Sequence, residues 1–275
     1  MLLGTHSQLQ TRPSVILSAS QNRSNQQTCL NNTLSNKPVQ TTKVSFSNLN
    51  LVRLGVSPFK VFNEGYIHKL NQALNTIDFE NFHEVMKVLA AQQGKAKKIY
   101  VLGNGGSEAV ASHFAHNLSW DVSVKLPVEK KISALPLAQL STDMTARMND
   151  VNGEFSFATL VRDHMTPHDI LVGISASGES QNLVHAFKQA EKLGIKTVGL
   201  VKEGSTLAKQ ATHAITINSE DQQVIEDAQQ AATHMMVRML KSHLHQENPA
   251  LLLQEDLATL RTKQKNILSL RQELK

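Results

Sequence analysis

Two pairs of side chains in this sequence have the types and spacing that acid/base or metal chemistry requires. His113 and Asn117 are four residues apart in a stretch of helical character, so they are expected to share one helix face. Glu226 and His234 are eight residues apart in a second such stretch, and their directions would differ by roughly 80°. If the two helices meet, His113, Glu226 and His234 could ligate one Zn²⁺ and leave a coordination position open. The alternative is that these are ordinary hydrogen-bonded or exposed side chains.

A glycine turn precedes the first of these helices. In VLGNGGS, Gly103, Gly105 and Gly106 follow an apolar run and let the backbone turn sharply and approach a ligand. Ser107 then begins a helix, where unpaired N–H groups and the helix dipole favour an anion. The turn lacks the third glycine of the dinucleotide fingerprint and the lysine of a P-loop, so neither NAD nor a nucleoside triphosphate is indicated. Taken alone, it is equally consistent with a tight strand–helix turn.

A second loop, rich in serine, repeats this arrangement. GISASGES, residues 173–180, follows the apolar run ILVGIS and precedes another helical stretch. Ser175, Ser177 and Ser180 surround Gly178, and a ring of hydroxyls and backbone N–H groups suits a phosphate monoester without any Lys or Arg. The alternative is that these serines only cap the following helix.

The elements that must position these loops alternate along the chain. The apolar runs are KIYVLG, ISALPL, ILVGIS, TVGLV and AITIN. Between and after them, helices are predicted over residues 107–118, 154–164, 180–193, 204–211 and 222–245, and two further helices, broken near Asp78, precede the first run. This alternation predicts an α/β protein with a parallel sheet covered by helices. Both loops would then lie at the carboxyl ends of strands, where open α/β sheets bind ligands.

Composition excludes several classes of function. The formal net charge is +5, but residues 1–63 contain six basic and no acidic side chains. The remaining 212 residues carry 22 basic and 23 acidic side chains, so they give no electrostatic reason to expect a nucleic-acid partner. No apolar run is long enough to span a membrane, and the single cysteine, Cys29, excludes an intramolecular disulfide.

Three regions follow from these patterns. Residues 1–55 are polar and basic, and their composition predicts a disordered segment, either an organelle transit peptide or a tail without a targeting role. Residues 58–245 form the predicted folded domain. Residues 249–275 carry Leu253, Leu257 and Leu260 at helical spacing and are expected to form a helical extension that packs on the body or on a partner.

The motifs together resemble the sugar isomerase (SIS) domain, in particular its phosphoheptose isomerase branch. The resemblance rests on GNGGS followed by ASHFAHNL, on Asn149–Asp150, on GISASGES and on IEDAQQAATH, in that order and spacing. It implies a five-stranded parallel sheet flanked by helices on both faces, a flavodoxin-like three-layer sandwich. It also implies a cytoplasmic homotetramer with sites between subunits, conversion of sedoheptulose 7-phosphate to a heptose 7-phosphate, and bound zinc in many members.

The resemblance also implies roles for individual residues. The substrate-binding positions are Asn104, Gly105, Gly106, Ser107, Asn149, Asp150, Ser175, Ala176, Ser177 and Ser180. The four serines match the phosphate-binding serines, and Ala176 replaces a usual Thr but keeps its backbone N–H. His113 and His234 match the two active-site histidines, both of which can ligate zinc.

Three positions depart from the family pattern. Asn117 occupies the place of the catalytic Glu, Glu226 stands where the best-known members have Gln, and Leu140 replaces an Asp near the sugar. Asn117 bears on catalysis, because an amide cannot accept a proton, whereas Leu140 bears on the identity of the sugar.

Two functions are therefore predicted as alternatives. The first is a sugar-phosphate isomerase in which His234 is the acid/base, Glu226 is its carboxylate partner or a metal ligand, and Asn117 hydrogen-bonds an oxyanion. The second is a non-catalytic SIS module that binds a sugar phosphate or scaffolds a protein such as the bacterial replication initiator. Neither a nucleic acid nor a membrane is expected as a partner. The compartment is the cytoplasm, or an organelle if the N-terminal segment is a transit peptide.

Overall fold

Helices and strands alternate along the part of the chain that the computed structural model describes, residues 57–94 and 96–246. The helices are α1 (Pro58–Leu74), α2 (Phe79–Ala90), α3 (Gly106–Ser119), α4 (Ser141–Asp150), α5 (Ser156–His164), α6 (Gln181–Lys192), α7 (Thr206–Gln210) and α8 (Gln222–Leu244). The strands are β1 (Ile99–Leu102), β2 (Ala134–Pro136), β3 (Ile170–Ser175), β4 (Lys196–Lys202) and β5 (His213–Ile217). The predicted tails, residues 1–55 and 249–275, lie outside the described residues.

The five predicted strands and the helices predicted within the described residues are confirmed. The break between α1 and α2 has a local cause, because the Asp78 carboxylate accepts a hydrogen bond from the Glu80 backbone N–H at 2.9 Å and so caps α2. Helix α4 was not predicted. None of its residues is buried, so it has no apolar stripe by which a periodicity search would find it. Arg147 instead ties it to α5, with 2.7 Å to the Asp163 carboxylate.

All five strands are parallel, in the order β2-β1-β3-β4-β5. The chain moves outward from β1 to β2 on one side and from β3 to β4 and β5 on the other. The order therefore reverses between β1 and β3, and a crevice forms where the loops after these two strands diverge. The glycine turn follows β1 and the serine loop follows β3, so both predicted ligand loops border this crevice.

The sheet separates two apolar layers, as a strand with alternating side chains requires. Ile99 and Val101 of β1 belong to a core formed with α1, α2, α3 and α8. Tyr100 and Leu102 face the opposite side and pack with α5, α6 and α7. The predicted fold class, a five-stranded parallel sheet with helices on both faces, is confirmed. Among the described helices, none combines the length and the apolar character needed to cross a bilayer.

Candidate active site

The glycine turn has the close packing that its glycines suggest. Gly105 has a φ of +52°, a backbone conformation that residues other than glycine rarely adopt. A methyl group on Gly103 would lie 2.5 Å from the Ser107 carbonyl, so the backbone of the turn folds tightly over the start of α3. Ser107 is buried in the first turn of this helix.

A carboxylate that sequence analysis missed holds the glycine turn in place. Glu108 accepts a hydrogen bond from the Gly103 backbone N–H at 3.0 Å and another from the Ser112 hydroxyl at 2.9 Å. Gln139 in turn donates to Ser112 at 2.8 Å. Burial raises the pKa of the Glu108 carboxyl, and the two hydrogen bonds oppose that rise. A Glu in the first turn of a helix is a familiar sequence signal, but its partner here lies three residues before the helix begins.

The serine loop keeps hydroxyl donors available. The Ser175 hydroxyl oxygen accepts from the Gly178 N–H at 3.0 Å, and the Ser177 oxygen accepts from the Glu179 N–H at 3.2 Å. A hydroxyl that accepts still has a proton to donate. The two hydroxyl oxygens are 3.4 Å apart, so one of them can donate to the other, which leaves one of the two protons for a ligand. Ser180 is the N-cap residue of α6, but its side chain makes no capping hydrogen bond. The capping alternative therefore does not account for Ser180.

An amide pair joins the two loops across the crevice. Asn104 in the glycine turn and Asn182 in α6 exchange two hydrogen bonds, each 2.9 Å long. This reciprocal pair fixes the spacing of the loops that flank any bound anion. Sequence analysis singled out Asn104 but not Asn182, because nothing in the local pattern around Asn182 indicates its partner.

The two histidines meet where α3 crosses α8. The rings of His113 and His234 are edge to face, with centroids 5.1 Å apart. The Gln230 side chain lies between them, with its Nε2 atom 3.2 Å from His113 Nδ1 and 2.9 Å from His234 Nε2. On the other side of His113, the Asn117 Nδ2 atom is 3.3 Å from Nε2. Gln230 was not predicted as a site residue.

These contacts restrict the tautomer of His113. Both of its ring nitrogens face an amide group, but a neutral imidazole accepts at only one nitrogen. If the Gln230 amide nitrogen donates to both histidines, His113 is protonated at Nε2 and the side-chain oxygen of Asn117 accepts from it. If the Gln230 amide presents its oxygen instead, His113 is protonated at Nδ1 and Asn117 donates to Nε2.

Glu226 lies one helical turn before Gln230 on α8, but its side chain points toward the glycine turn. A methyl group on Gly106 would lie 2.8 Å from the Glu226 Oε2 atom, so the carboxylate packs against the beginning of α3. Its other oxygen is 3.5 Å from Gln222 Nε2. The Glu226 carboxylate therefore approaches the crevice rather than the histidine pair.

The fit of a zinc ion depends on these positions. His113 and His234 are suitable donors, but no three His, Cys, Asp or Glu side chains converge closely enough to hold a metal within residues 57–94 and 96–246. The predicted set of His113, Glu226 and His234 is thus not assembled in this structure, and the Gln230 amide stands between its members.

The remaining predicted positions lie on or next to α4. Asn149 donates to the Asp150 carboxylate at 2.8 Å, and both are exposed at the end of that helix. Leu140 is exposed at its beginning. The hydrogen bonds of the described residues connect neither Asn149 nor Asp150 to the serine loop.

Comparisons with known proteins agree with this architecture. The family model of the SIS domain matches residues 65–202, about half of the chain. A probable phosphoheptose isomerase of Thermoplasma volcanium is 33% identical over 179 residues, which cover 65% of this chain and 90% of that protein. The phosphoheptose isomerase of Geotalea daltonii is 31% identical over 188 residues, or 66% and 95% of the two chains. The fold is shared with the phosphoheptose isomerase structure from Neisseria gonorrhoeae, with a TM-score of 0.59, 24% identity and coverage of 67% and 97%.

The fold and the matched region define an SIS-domain protein, and the chain belongs to that family. Within the family it belongs to the phosphoheptose isomerase-like branch, where its named relatives lie.

Proposed function

We propose that this SIS-family protein, a sugar-phosphate isomerase by its relatives, interconverts sedoheptulose 7-phosphate, or a similar ketose phosphate, and a heptose 7-phosphate. The observation that carries the proposal is the contact between His113 on α3, the helix that begins at the glycine turn, and His234 on α8. Phosphate bound at the loops would position the sugar from a distance, and the reacting carbons would lie toward the histidines.

Isomerisation moves a proton between adjacent carbons through an enediol, so it needs a base and a group that stabilises the developing oxyanion. We assign the base to His234, whose Nε2 atom faces a proton donor, the Gln230 amide, at 2.9 Å. A substrate hydroxyl or C–H group would approach from the same direction and displace that amide. Asn117 would hydrogen-bond the oxyanion, and Glu226 would have to rotate away from the glycine turn toward His234 to be its carboxylate partner.

We propose zinc binding separately, because the proton transfer described above uses no metal. His113 and His234 would provide nitrogen ligands, and Glu226 would have to turn from the glycine loop to join them. A metal analysis of the purified protein tests this point, because an assembled site predicts about one zinc per chain.

The test of the proposed activity is isotope exchange. The purified protein is incubated in D₂O with a panel of ketose phosphates of five to seven carbons. Loss of the ketose C1 proton signals and deuterium incorporation at C2 of the aldose product are followed by NMR. We expect exchange with sedoheptulose 7-phosphate that depends on His234, so His234→Ala should abolish it. Phosphate-dependent binding without any exchange would instead favour the non-catalytic SIS module, the function that Asn117 by itself suggests.

The remaining assignments follow from the same family resemblance. We propose a homotetramer in the cytoplasm, with no nucleic-acid or membrane partner. Transport into an organelle through residues 1–50 is the alternative for the compartment.

A further inference from the structure

A cavity of about 220 Å³ adjoins the serine loop. It is lined by Ala176, Ser177, Lys202, Glu220, Gln222 and Ile225. Lys202 is the last residue of β4, and β4 runs beside β3 with Val201 opposite Ser175. The lysine is therefore brought to the carboxyl edge of the sheet, next to the loop whose hydroxyls are expected to bind phosphate.

Lys202 forms an ion pair with an exposed carboxylate, that of Glu220. Its Nζ atom donates to the Glu220 carboxylate at 2.8 Å, and the Lys202 side chain is 30% exposed whereas that of Glu220 is 89% exposed. An ion pair with so exposed a carboxylate contributes little, because water solvates the carboxylate nearly as well. An anion bound in the cavity would therefore compete with Glu220 for the ammonium group.

We propose that Lys202 is a phosphate ligand, and that its ammonium group exchanges Glu220 for the phosphate of the bound sugar phosphate. This inference rests on the proposed function and names the charged group of that same site. A phosphate monoester carries nearly two negative charges at neutral pH, and the serine loop itself offers only neutral donors. A hydrogen bond from an ammonium group to such an anion is stronger than one from a hydroxyl, so Lys202 discriminates phosphorylated from unphosphorylated sugars.

The experiment measures the Kd of inorganic phosphate by calorimetry in the wild type and in five variants of the full chain, of which Ser177→Ala tests the serine loop. Lys202→Gln should raise that Kd about tenfold, the usual effect of losing one charge-assisted hydrogen bond. Lys202→Arg keeps the charge and should stay within about threefold of the wild type. Glu220→Gln removes the competing carboxylate and should lower the Kd two- to threefold, roughly the strength of an exposed ion pair. The matched control is Lys196→Gln, since Lys196 is the exposed lysine at the opposite end of the same strand.

The outcomes separate this inference from the function on which it rests. If Lys202→Gln binds phosphate like the wild type while Ser177→Ala binds it more weakly, Lys202 is not a ligand and the phosphate site stands. If the wild type binds neither inorganic phosphate nor sedoheptulose 7-phosphate, the proposed function fails. If Lys202→Gln does not fold, the salt dependence of the Kd is measured in the wild type, Lys202→Arg and Glu220→Gln. An ammonium contact predicts that phosphate binds more weakly as salt rises, and that this dependence is steeper in Glu220→Gln. A Kd that does not change with salt would overturn the proposal.

Discussion

At the scale of single residues, we expect Asn117 to have the largest consequence for activity. Its side chain lies 3.3 Å from His113 Nε2, on the helix that begins at the glycine turn. A carboxylate at this position would supply a base that the amide cannot. We expect Asn117→Glu to raise the turnover of sedoheptulose 7-phosphate at least about tenfold, within the usual contribution of general-base catalysis. Steady-state assays measure this change, and Asn117→Gln, which lengthens the side chain without adding a base, is the matched control.

The opposite result would also be informative. Suppose that Asn117→Glu folds and binds the sugar phosphate but has no added activity, while Glu226→Gln is harmless. The assignment of base and carboxylate partner would then be wrong, and the non-catalytic module would replace it.

The serine hydroxyls give a second prediction at the residue scale. Ser177 is held by the Glu179 N–H at 3.2 Å, and Ser180 has no capping role on α6. We expect Ser177→Ala and Ser180→Ala each to weaken sugar-phosphate binding by about 1–3 kcal/mol, as when a hydrogen bond to a charged group is lost. Titration calorimetry with sedoheptulose 7-phosphate measures the loss, and unphosphorylated sedoheptulose is the control ligand. An equal loss for both ligands would contradict a role in phosphate binding.

At the scale of elements, the junction of β1 and α3 carries a buried carboxyl group. Burial raises the pKa of Glu108 above its usual 4.5, so the folded state binds this proton more tightly than the unfolded chain does. The contribution of this proton to the free energy of unfolding is fully present below about pH 4.5, the pKa of Glu108 in the unfolded chain. It is lost as pH rises through the higher pKa of Glu108 in the folded state. We expect Glu108→Gln to remove this part of the pH dependence, which urea unfolding between pH 4 and pH 7 measures.

A matched variant distinguishes the charge of Glu108 from its hydrogen bonds. Glu108→Gln keeps an acceptor for the Gly103 N–H, whereas Glu108→Ala leaves that N–H without its partner at 3.0 Å. Glu108→Ala should therefore be less stable than Glu108→Gln at every pH tested. Identical unfolding curves for the two variants would mean that the carboxyl group does not hold the glycine turn.

At the scale of the whole molecule, the exposed apolar side chains of α1 support the proposed assembly. Phe59, Phe62 and Ile67 are 81%, 69% and 58% exposed, and such clusters on a folded domain commonly mark interfaces between proteins. We expect the wild type to sediment as a tetramer, and a Phe59→Ser, Phe62→Ser double variant to sediment as a smaller species. Sedimentation velocity measures this difference, with Lys60→Ser on the same helix as the control. A monomeric wild type would refute the proposed homotetramer.

The local sequence was sufficient to predict most of the elements. Apolar runs such as ILVGIS mark the strands because both faces of a parallel sheet are buried, and Asp78 marks the start of α2 because its side chain caps the helix. The glycine turn and the serine loop were also identified from the chain alone. Helix α4 was missed, because none of its residues is buried and its ion pair to α5, Arg147–Asp163, joins residues 16 positions apart.

The sequence by itself determined the parallel α/β fold and the two loops that border its crevice, because strand burial, helical periodicity and turn chemistry act between near neighbours. Only the tertiary structure placed the Gln230 amide between His113 and His234, turned Glu226 toward Gly106, and brought Lys202 beside Ser177. His113 and Gln230 are 117 residues apart in the chain. Whether such side chains meet depends on how helices cross and strands align over the core, a long-range geometry that no local pattern of residues encodes.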